Sequence, residues 1–281
     1  MFVIPDARLD QFMAEDIPYM DLTTHVLGID QVPGRITFFT REAGVVCATE
    51  EAARILEKCG AQVEYVLPSG SPMDSGQEVL VATGSAGSLH AAWKVCLNLL
   101  DHCSAVATKT AQFVGKVKAV NPQVEVLTTR KSMPGTKDLV TKAIMAGGAF
   151  PHRLGLSETV LVFDNHTQFL GGFEGFLARV PEYKRACVEK RLFVEVNPDQ
   201  AMAALEAGVD CLQIEKASPQ ALADLVVRLR KANPSVTVVA AGGVNLDNCE
   251  AYAAASPDGL VTTCLFSAKP LDMSARMECL E

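Results

Sequence analysis

The chain has 281 residues, of which 49% are hydrophobic and 21% are charged. This composition is typical of a globular protein and differs from that of a disordered chain. The formal net charge of -8 argues against a general nucleic-acid binder, whose affinity would depend on a basic surface, although it permits a small basic pocket.

The N-terminal residues "MFVIPDARLD" show no basic start followed by an apolar stretch, so we expect no secretory signal. No apolar run approaches the ~20 residues that span a bilayer, so we expect no membrane span. The nine cysteines are scattered and form no C-x-x-C pair, which argues against a zinc knuckle or a thioredoxin-type site. We therefore expect a cytoplasmic protein with reduced thiols.

The first 105 residues alternate short extended segments with turns. Their β-branched and aromatic residues, flanked by Gly and Pro, predict strands at 34–40, 44–50 and 78–84. A helix is predicted after Thr49, ending at Gly60. A long helix is predicted from Ser88, and one face of it carries Leu89, Trp93, Cys96, Leu97 and Leu100.

After residue 120, short apolar segments alternate with amphipathic helices. The pattern predicts strands at 124–129, 159–165, 191–196, 210–215, 236–243 and 258–263. Ser218 and Pro219 are typical of the N-cap and the first position of a helix. Continuous apolar strands separated by helices indicate a parallel sheet covered on both faces, and six such units in a row favour a barrel.

Charged and glycine residues stand at the strand ends, where a parallel barrel places its active site. They are Arg130, Lys131, His152, Arg153, Glu195, Glu215, Gly242 and Gly243. Arginine and lysine neutralise phosphate or carboxylate oxygens, and carboxylates can hold Mg²⁺ directly or through its waters. A Gly-Gly corner offers backbone N–H groups to a phosphate. The set predicts a phosphorylated substrate with a divalent metal.

Each of these residues also has an ordinary structural explanation. A Gly-Gly pair at a strand end is more often a turn, and a single Glu there is more often a salt-bridge partner. His25, His90 and His102 are assigned no role. The predicted site therefore depends on the joint pattern.

The order of motifs resembles the quinolinate phosphoribosyltransferase family, also called nicotinate-nucleotide pyrophosphorylase, over nearly the whole chain. The segment "TTRKSMPGTKDLVTKAIMAGGAFPHRLGLSETVLVFDNH" is similar to the central signature of that family. Similarity to its other segments is found in "MDLTTHVLG", "REAGVVCATEEAARIL", "FVEV", "AAGGV" and "LFSAKPLDMS".

The resemblance implies an α/β protein with an N-terminal α/β sandwich domain and an incomplete parallel α/β barrel. We expect the sandwich domain at 1–105, joined by residues 268–281, and the barrel at 106–267. It also implies a homodimer or a higher homo-oligomer, in which the N-terminal region of one subunit closes the active site of the other.

The resemblance further implies roles for individual residues. The acceptor would be bound by Lys94, Arg130, His152, Arg153 and Phe163. Catalysis would depend on Lys131, which reaches phosphoribosyl pyrophosphate, and on Glu195 and Glu215, which reach the ribose and Mg²⁺. The 5′-phosphate would be bound by Gly242, Gly243 and Thr262.

The chain departs from the family pattern at several of these positions. An Arg of the family is Lys94 here, and the Lys before Asp-Asn-His is Phe163. The family's Leu-Asp-Asn strand end reads Ile-Glu-Lys and contains Glu215 and Lys216. Ser-Gly-Gly becomes Ala-Gly-Gly, and a later Gly of the phosphate loop becomes Thr262. The acceptor side has lost one cation and exchanged another.

A desolvated carboxylate without a partner is costly, so Phe163 indicates an acceptor that is less charged than the dicarboxylate quinolinate, or a larger aromatic compound. The pattern looks like the family branch called ModD, which is linked by name to molybdenum transport. We predict a Mg²⁺-dependent phosphoribosyltransferase, a pentosyl-transferring glycosyltransferase, that uses phosphoribosyl pyrophosphate and a small aromatic acid or base.

Two alternatives belong to other classes. One is a catalytically retired protein that binds an anion such as molybdate and acts in regulation. The other is a lyase or aldolase barrel with a Schiff-base lysine, for which Lys216 is the candidate.

Overall fold

A computed structural model describes residues 2–281, which form two compact units. The first unit contains residues 2–111 together with Met133–Gly148 and Phe266–Glu281, and the second contains Gln112–Ser132 and Ala149–Leu265. The predicted domain boundary at residue 105 lies within a helix and stays a prediction.

The α-helices are α1 (Asp6–Asp16), α2 (Leu22–Leu27), α3 (Thr49–Lys58), α4 (Ala86–Val120), α5 (Lys137–Ala146), α6 (Asp164–Thr167), α7 (Gly172–Leu177), α8 (Val180–Ala186), α9 (Ala201–Glu206), α10 (Pro219–Ala232) and α11 (Cys249–Ala254). The strands are β1 (Pro33–Thr40), β2 (Gly44–Val45), β3 (Gln62–Val66), β4 (Pro72–Met73), β5 (Glu78–Ser85), β6 (Glu125–Thr128), β7 (Phe150–Pro151), β8 (Val160–Val162), β9 (Leu192–Val196), β10 (Cys211–Glu215), β11 (Thr237–Ala241), β12 (Gly259–Thr262) and β13 (Met273–Cys279).

The first unit is built on a four-stranded antiparallel sheet in the order β13-β1-β5-β3. The registers of β1 and β5 place Ile36 opposite Ala82 and Phe38 opposite Leu80, and all four of these side chains are buried. Helix α3 is amphipathic and buries Ala52, Ala53, Ile55 and Leu56. The sheet and its helices form the predicted α/β sandwich.

The strand predicted at 44–50 is wrong beyond Val45. The backbone N–H of Cys47 donates to Ser104 Oγ, and that of Ala48 donates to Ser69 Oγ. Ala48 has a φ of +69°, and α3 begins at the next residue. Side chains from distant parts of the chain therefore take the hydrogen bonds that a neighbouring strand would have accepted.

The predicted long helix is confirmed as α4, and Leu89, Cys96 and Leu100 lie in the core. Trp93 shares the predicted apolar face but is 39% exposed. Within residues 2–281, no helix combines the length and the apolar character needed to cross a membrane.

A buried lysine joins α5 to α3 in the first unit. Lys142 Nζ lies 2.8 Å from Glu50 Oε2 and also binds the carboxylate of Glu51, which is 2% exposed. Burial by itself would raise the pKa of Glu50, but hydrogen bonds from Lys142 and Ser69 outweigh it and lower the pKa to about 2. The cluster thus stabilises the folded state through charge pairing.

The second unit is a curled sheet of seven parallel strands in the order β7-β6-β12-β11-β10-β9-β8. Strands that follow one another along the chain are hydrogen-bonded to each other, except β7 and β8. The last strand, β12, pairs with the first, β6. The barrel is therefore open at one seam, which confirms the predicted incomplete parallel barrel. The two-residue strand β7 was not predicted.

Apolar side chains fill the part of the barrel behind the strand ends. Val239, Ala241 and Val261 form a buried cluster against which Leu127 packs. Ser218 Oγ accepts a hydrogen bond from the backbone N–H of Ala221, which confirms the predicted N-cap of α10. The hydrogen-bonded strands hold the loops at their carboxyl ends, where a parallel barrel places its active site.

Replacing Lys142 with Met should destabilise the first unit, because it leaves two carboxylates beside each other without a cation. We expect the free energy of unfolding at pH 7 to fall by about 3 kcal/mol, a value typical of a broken buried ion pair. The folded-state pKa of Glu50 is depressed from 4.5 to about 2, so the stabilisation is present above pH 4.5 and is lost as the pH falls toward 2. The deficit of the variant should therefore shrink on acidification.

Trp93 is the only tryptophan and belongs to the same unit, so its fluorescence can follow denaturant unfolding. The matched control is Lys58→Met, which removes a lysine paired with Asp10 at the surface and should lower the free energy of unfolding much less than Lys142→Met does. Equal losses in the two variants would contradict a special role for Lys142.

Candidate active site

A cavity of about 630 Å³ lies at the carboxyl ends of the barrel strands. Its lining includes every predicted site residue except Lys94, namely Arg130, Lys131, His152, Arg153, Phe163, Glu195, Glu215, Gly242, Gly243 and Thr262. Lys94 lies exposed on α4, in the part of that helix that belongs to the first unit. The structure thus brings together the residues that sequence analysis placed at separate strand ends.

Three cations line one part of the cavity. Arg130 and Lys131 follow β6, where Lys131 N–H donates to Thr129 Oγ1 and that hydroxyl lies 3.0 Å from Thr263 Oγ1. Among residues 2–281, no carboxylate forms an ion pair with Arg130, Lys131 or Arg153. Burial lowers the pKa of Arg153, and the charge of Arg130 lowers it further. These guanidinium groups repel each other, so the arrangement favours an anionic ligand.

His152 is held beside these cations by its backbone and its ring. Its N–H donates to the carbonyl oxygen of Thr128 at 2.9 Å, and its ring packs edge-on against Phe193 at 5.2 Å between centroids. Burial lowers the pKa of His152, and the charge of Arg153 lowers it further, so the imidazole is neutral at pH 7. Its Nε2 is buried without a hydrogen-bond partner in the described chain, so the hydrogen-bonding capacity of this atom is unused there.

Phe163 forms a flat aromatic wall of the cavity. The ring stacks on His166 with centroids 5.8 Å apart and an interplanar angle of 24°. The backbone N–H of Phe163 donates to His166 Nδ1 at 3.0 Å, which fixes the orientation of the imidazole. The guanidinium carbon of Arg153 lies 5.9 Å from the centre of the Phe163 ring. His166, to which sequence analysis gave no role, therefore positions Phe163.

Two carboxylates line another part of the cavity. Gln213 on β10 is directly opposite Glu195 on β9, and side chains two residues apart on a strand share a face, so Glu215 lies on the same side. Gln213 is 5% exposed, and its Nε2 donates to Glu195 Oε2. Burial raises the pKa of Glu195, the nearby charge of Glu215 adds to this, and the hydrogen bond from Gln213 opposes it.

These carboxylates fit a magnesium ion by their chemistry. Mg²⁺ in nucleotide-type sites is bound through one or two carboxylates and otherwise by water and substrate phosphates. Glu195 and Glu215 repel each other across a cavity that also contains cations, so a divalent ion would relieve the repulsion. Residues 2–281 contain no cluster of three or more acidic, His or Cys side chains suited to a metal, so the remaining ligands would come from substrate and water.

The glycine corner after β11 requires glycine at both positions. Gly242 and Gly243 have φ of +86° and +85°, a region that side chains rarely adopt. A Cβ on Gly242 would also lie 2.8 Å from Lys216 Cγ. The carbonyl oxygen of Gly243 accepts a hydrogen bond from Asn248 Nδ2 at 3.0 Å, which holds the corner in place.

The Thr262 side chain is occupied by internal hydrogen bonds. Its hydroxyl donates to the carbonyl oxygen of Val244 at 2.7 Å and accepts from the backbone N–H of Cys264. The side chain thus shapes the loop after β12, and its proton is not directed at a ligand. Its predicted role in phosphate binding stays a prediction.

Several residues that line the cavity were not predicted from the sequence, namely Thr129, Gln213, Asn245 and Thr263. A polar residue two positions before Glu215, inside an apolar strand, was a usable signal for Gln213. The threonines and the asparagine gave no such signal, because these residue types are common in surface loops.

Two family models match this chain. The model described as "Quinolinate phosphoribosyl transferase, C-terminal domain" matches residues 106–276, and that of the N-terminal domain matches residues 21–104. The chain belongs to the quinolinate phosphoribosyltransferase family. Members of this family are phosphoribosyltransferases, so the predicted enzyme class, a pentosyl-transferring glycosyltransferase, is confirmed.

Curated relatives agree with this family. A protein of Pasteurella multocida named "Putative pyrophosphorylase ModD" is 36% identical over 279 residues, which are 99% of each chain. Its namesake in Rhodobacter capsulatus is 39% identical over 251 residues and covers 88% of this chain and 95% of the relative. The carboxylating nicotinate-nucleotide pyrophosphorylase of Homo sapiens is 30% identical over 275 residues, covering 96% and 91%. The predicted likeness to ModD is confirmed.

Solved structures share the fold. NadC from Streptococcus pyogenes superposes with a TM-score of 0.89 at 25% identity and covers 98% of this chain and 97% of its own. The nicotinate-nucleotide pyrophosphorylase from Francisella tularensis has the same TM-score at 22% identity and covers 99% of this chain and 98% of its own. At this identity the likeness shows a shared fold only.

Proposed function

We propose that the protein transfers phosphoribose from phosphoribosyl pyrophosphate to a small aromatic acid or base other than quinolinate. The observation that carries the proposal is the composition of one cavity. Unpaired cations, a neutral histidine and a fixed aromatic ring stand in it beside two carboxylates and a glycine corner. The cations can bind anionic groups, the ring can stack on a flat acceptor, and the carboxylates can bind the ribose.

On the donor side, the glycine corner and Lys131 are the proposed phosphate ligands. Gly243 has no heavy atom within 4 Å of the position a Cβ would take, so a phosphate can approach its backbone closely. Lys131 is exposed and has no carboxylate partner among the described residues. Its ammonium is therefore available to the pyrophosphate, whose oxygens bind lysine as a compact charge.

In the proposed reaction the bond between ribose C1 and pyrophosphate breaks, and a bond to the acceptor nitrogen forms. Glu195, held by Gln213, and Glu215 would bind the ribose and stabilise the positive charge that develops on it. They would also hold Mg²⁺, which when bound neutralises charge on the leaving pyrophosphate. Catalysis would come mainly from the positioning of donor and acceptor and from preorganised charges.

On the acceptor side, Arg130, Arg153 and the Nε2 of His152 provide donors for one carboxylate or a comparable polar group. Arginine binds carboxylates bidentately, which would orient the acceptor. Phe163 would stack on the acceptor ring but cannot pair with a second carboxylate. A dicarboxylate would therefore leave one charge desolvated without a partner, at a high energetic cost.

The link to molybdenum use is part of the proposal and comes from the resemblance to the ModD branch alone. The alternative function is binding of a tetrahedral anion such as molybdate by the same cations without transfer.

The aldolase alternative is not supported. Hydrogen bonding to Glu215 raises the pKa of Lys216, which keeps the amine protonated and poorly nucleophilic.

We also infer a cytoplasmic location, since none of the nine cysteines, all within the described residues, forms a disulfide. Cell fractionation tests this inference.

Calorimetric titration with phosphoribosyl pyrophosphate, with and without Mg²⁺, tests the donor half of the reaction. We expect micromolar binding that is stronger with Mg²⁺, because the metal offsets charge between the pyrophosphate and the two glutamates. Lys131→Ala should abolish turnover while leaving the thermal midpoint unchanged. Tight molybdate binding without donor binding would instead establish the anion-binding alternative.

Phe163→Lys tests the acceptor half as a gain of function. The lysine would supply a partner for a second carboxylate, so quinolinate affinity should rise by about 10-fold, the effect of one charge-assisted hydrogen bond. The control is Phe169→Lys, which places the same charge at a ring that is 91% exposed and does not line the cavity. Equal quinolinate affinity in both variants and the wild type would refute the assignment of Phe163 to acceptor selection.

A homodimer or higher oligomer is proposed, with Lys94 reaching the acceptor of a partner subunit. Lys94 is exposed on α4, as such a role requires. Mixing Lys94→Ala with Lys131→Ala subunits should then restore part of the activity, because one of the two sites in each mixed dimer would contain both lysines. No recovery in mixed oligomers, verified by mass spectrometry, would contradict a shared site.

A further inference from the structure

Lys216 adopts a backbone conformation that lysine rarely takes. It follows directly after β10 and has a φ of +56°, one of three positive φ values at non-glycine residues within residues 2–281. Asparagine tolerates this left-handed region much better than lysine does. An unfavourable conformation at the edge of a cavity is a reason to look for a function.

Two contacts hold Lys216 in this conformation. Its backbone N–H donates to the carbonyl oxygen of Ala241 at 2.9 Å, which ties the end of β10 to the end of β11. The side-chain stem packs against Gly242 so closely that a Cβ there would lie 2.8 Å from Cγ. Lys216 therefore lies between Glu215 and the glycine corner, both of which line the cavity.

The ammonium group of Lys216 forms an exposed ion pair with Glu215. Nζ lies 2.9 Å from Glu215 Oε1, and the side chain is 76% exposed. An exposed ion pair between neighbouring residues contributes little to stability, so it does not account for the unfavourable backbone. The positive charge of Lys216 also makes a small contribution that lowers the pKa of Glu195, a residue of the cavity lining.

We propose that Lys216 is a second lysine ligand for the phosphate groups of the donor, in addition to Lys131. In the ligand-free protein its ammonium pairs with Glu215. On binding, a phosphate oxygen at the glycine corner replaces the Glu215 carboxylate as its partner, which releases Glu215 toward the ribose. The long flexible stem of lysine permits this exchange, whereas the short amide of asparagine could not reach. The inference rests on the proposed function for the identity of the donor.

The test compares Lys216→Asn with the wild type in two measurements. Asparagine suits the left-handed backbone, so the thermal midpoint should be equal or higher. Inorganic pyrophosphate, titrated calorimetrically without divalent metal, should bind about 10-fold more weakly, the loss expected for one charge-assisted hydrogen bond. Lys216→Arg should keep most of the affinity, because it retains the charge. The control Lys190→Asn removes an exposed lysine that precedes β9, at the amino end of the strand and away from the carboxyl ends, and should change neither value.

The outcomes separate this inference from the function on which it rests. If Lys216→Asn binds pyrophosphate as the wild type does while Lys131→Ala binds it weakly, the inference is overturned and the proposed function stands. If the affinity falls together with the thermal midpoint, Lys216 is structural and the inference is also overturned. If the wild type binds neither pyrophosphate nor phosphoribosyl pyrophosphate, both proposals fail.

Discussion

Parallel pairing of the barrel strands is the constraint on which the site depends. In a parallel sheet all carboxyl ends lie at one rim. The sheet itself therefore brings residues that are far apart in sequence close together, without specific interactions between their side chains. The register of β9 and β10 then decides finer detail, since it places Gln213 beside Glu195 and leaves Glu215 on the same face. A slip of one residue would turn these side chains out of the cavity.

Because of the open seam between β7 and β8, the strands in one part of the site have fewer hydrogen-bonded neighbours than those in the other part. Glu195 and Glu215 lie on strands that are hydrogen-bonded on both sides. His152, Arg153 and Phe163 follow β7 and β8, the two strands that border the seam and that are hydrogen-bonded on one side only. Exchanging a side chain there disturbs few ladder bonds. Under the proposed function, Phe163 thus lies beside the seam, where a different acceptor ring could be accommodated with little change to the ladder.

The fold and most of the candidate site could be predicted because both depend on local signals. Apolar strands and helical periodicity predicted the barrel, and charged residues at strand ends predicted the cavity lining. Strands β3 and β13 were missed because their exposed, alternating residues give no apolar run, and β7 because two residues form no pattern. The hydrogen bond from Gln213 and the φ of Lys216 depend on strand register and on packing between strand ends, which a single sequence does not show.

Charges of opposite sign in the cavity are only partly paired, which stability alone would not favour. Arg130 and Arg153 stand without carboxylate partners among the described residues, while Glu195 and Glu215 repel each other in the same cavity. Direct pairing would have relieved both repulsions. In the proposed reaction, negative charge accumulates on the leaving pyrophosphate while the ribose becomes positive. Under the proposed assignment, Lys131 near the pyrophosphate and the two carboxylates near the sugar match that distribution, and their interactions are strongest when it is fully developed, in the transition state.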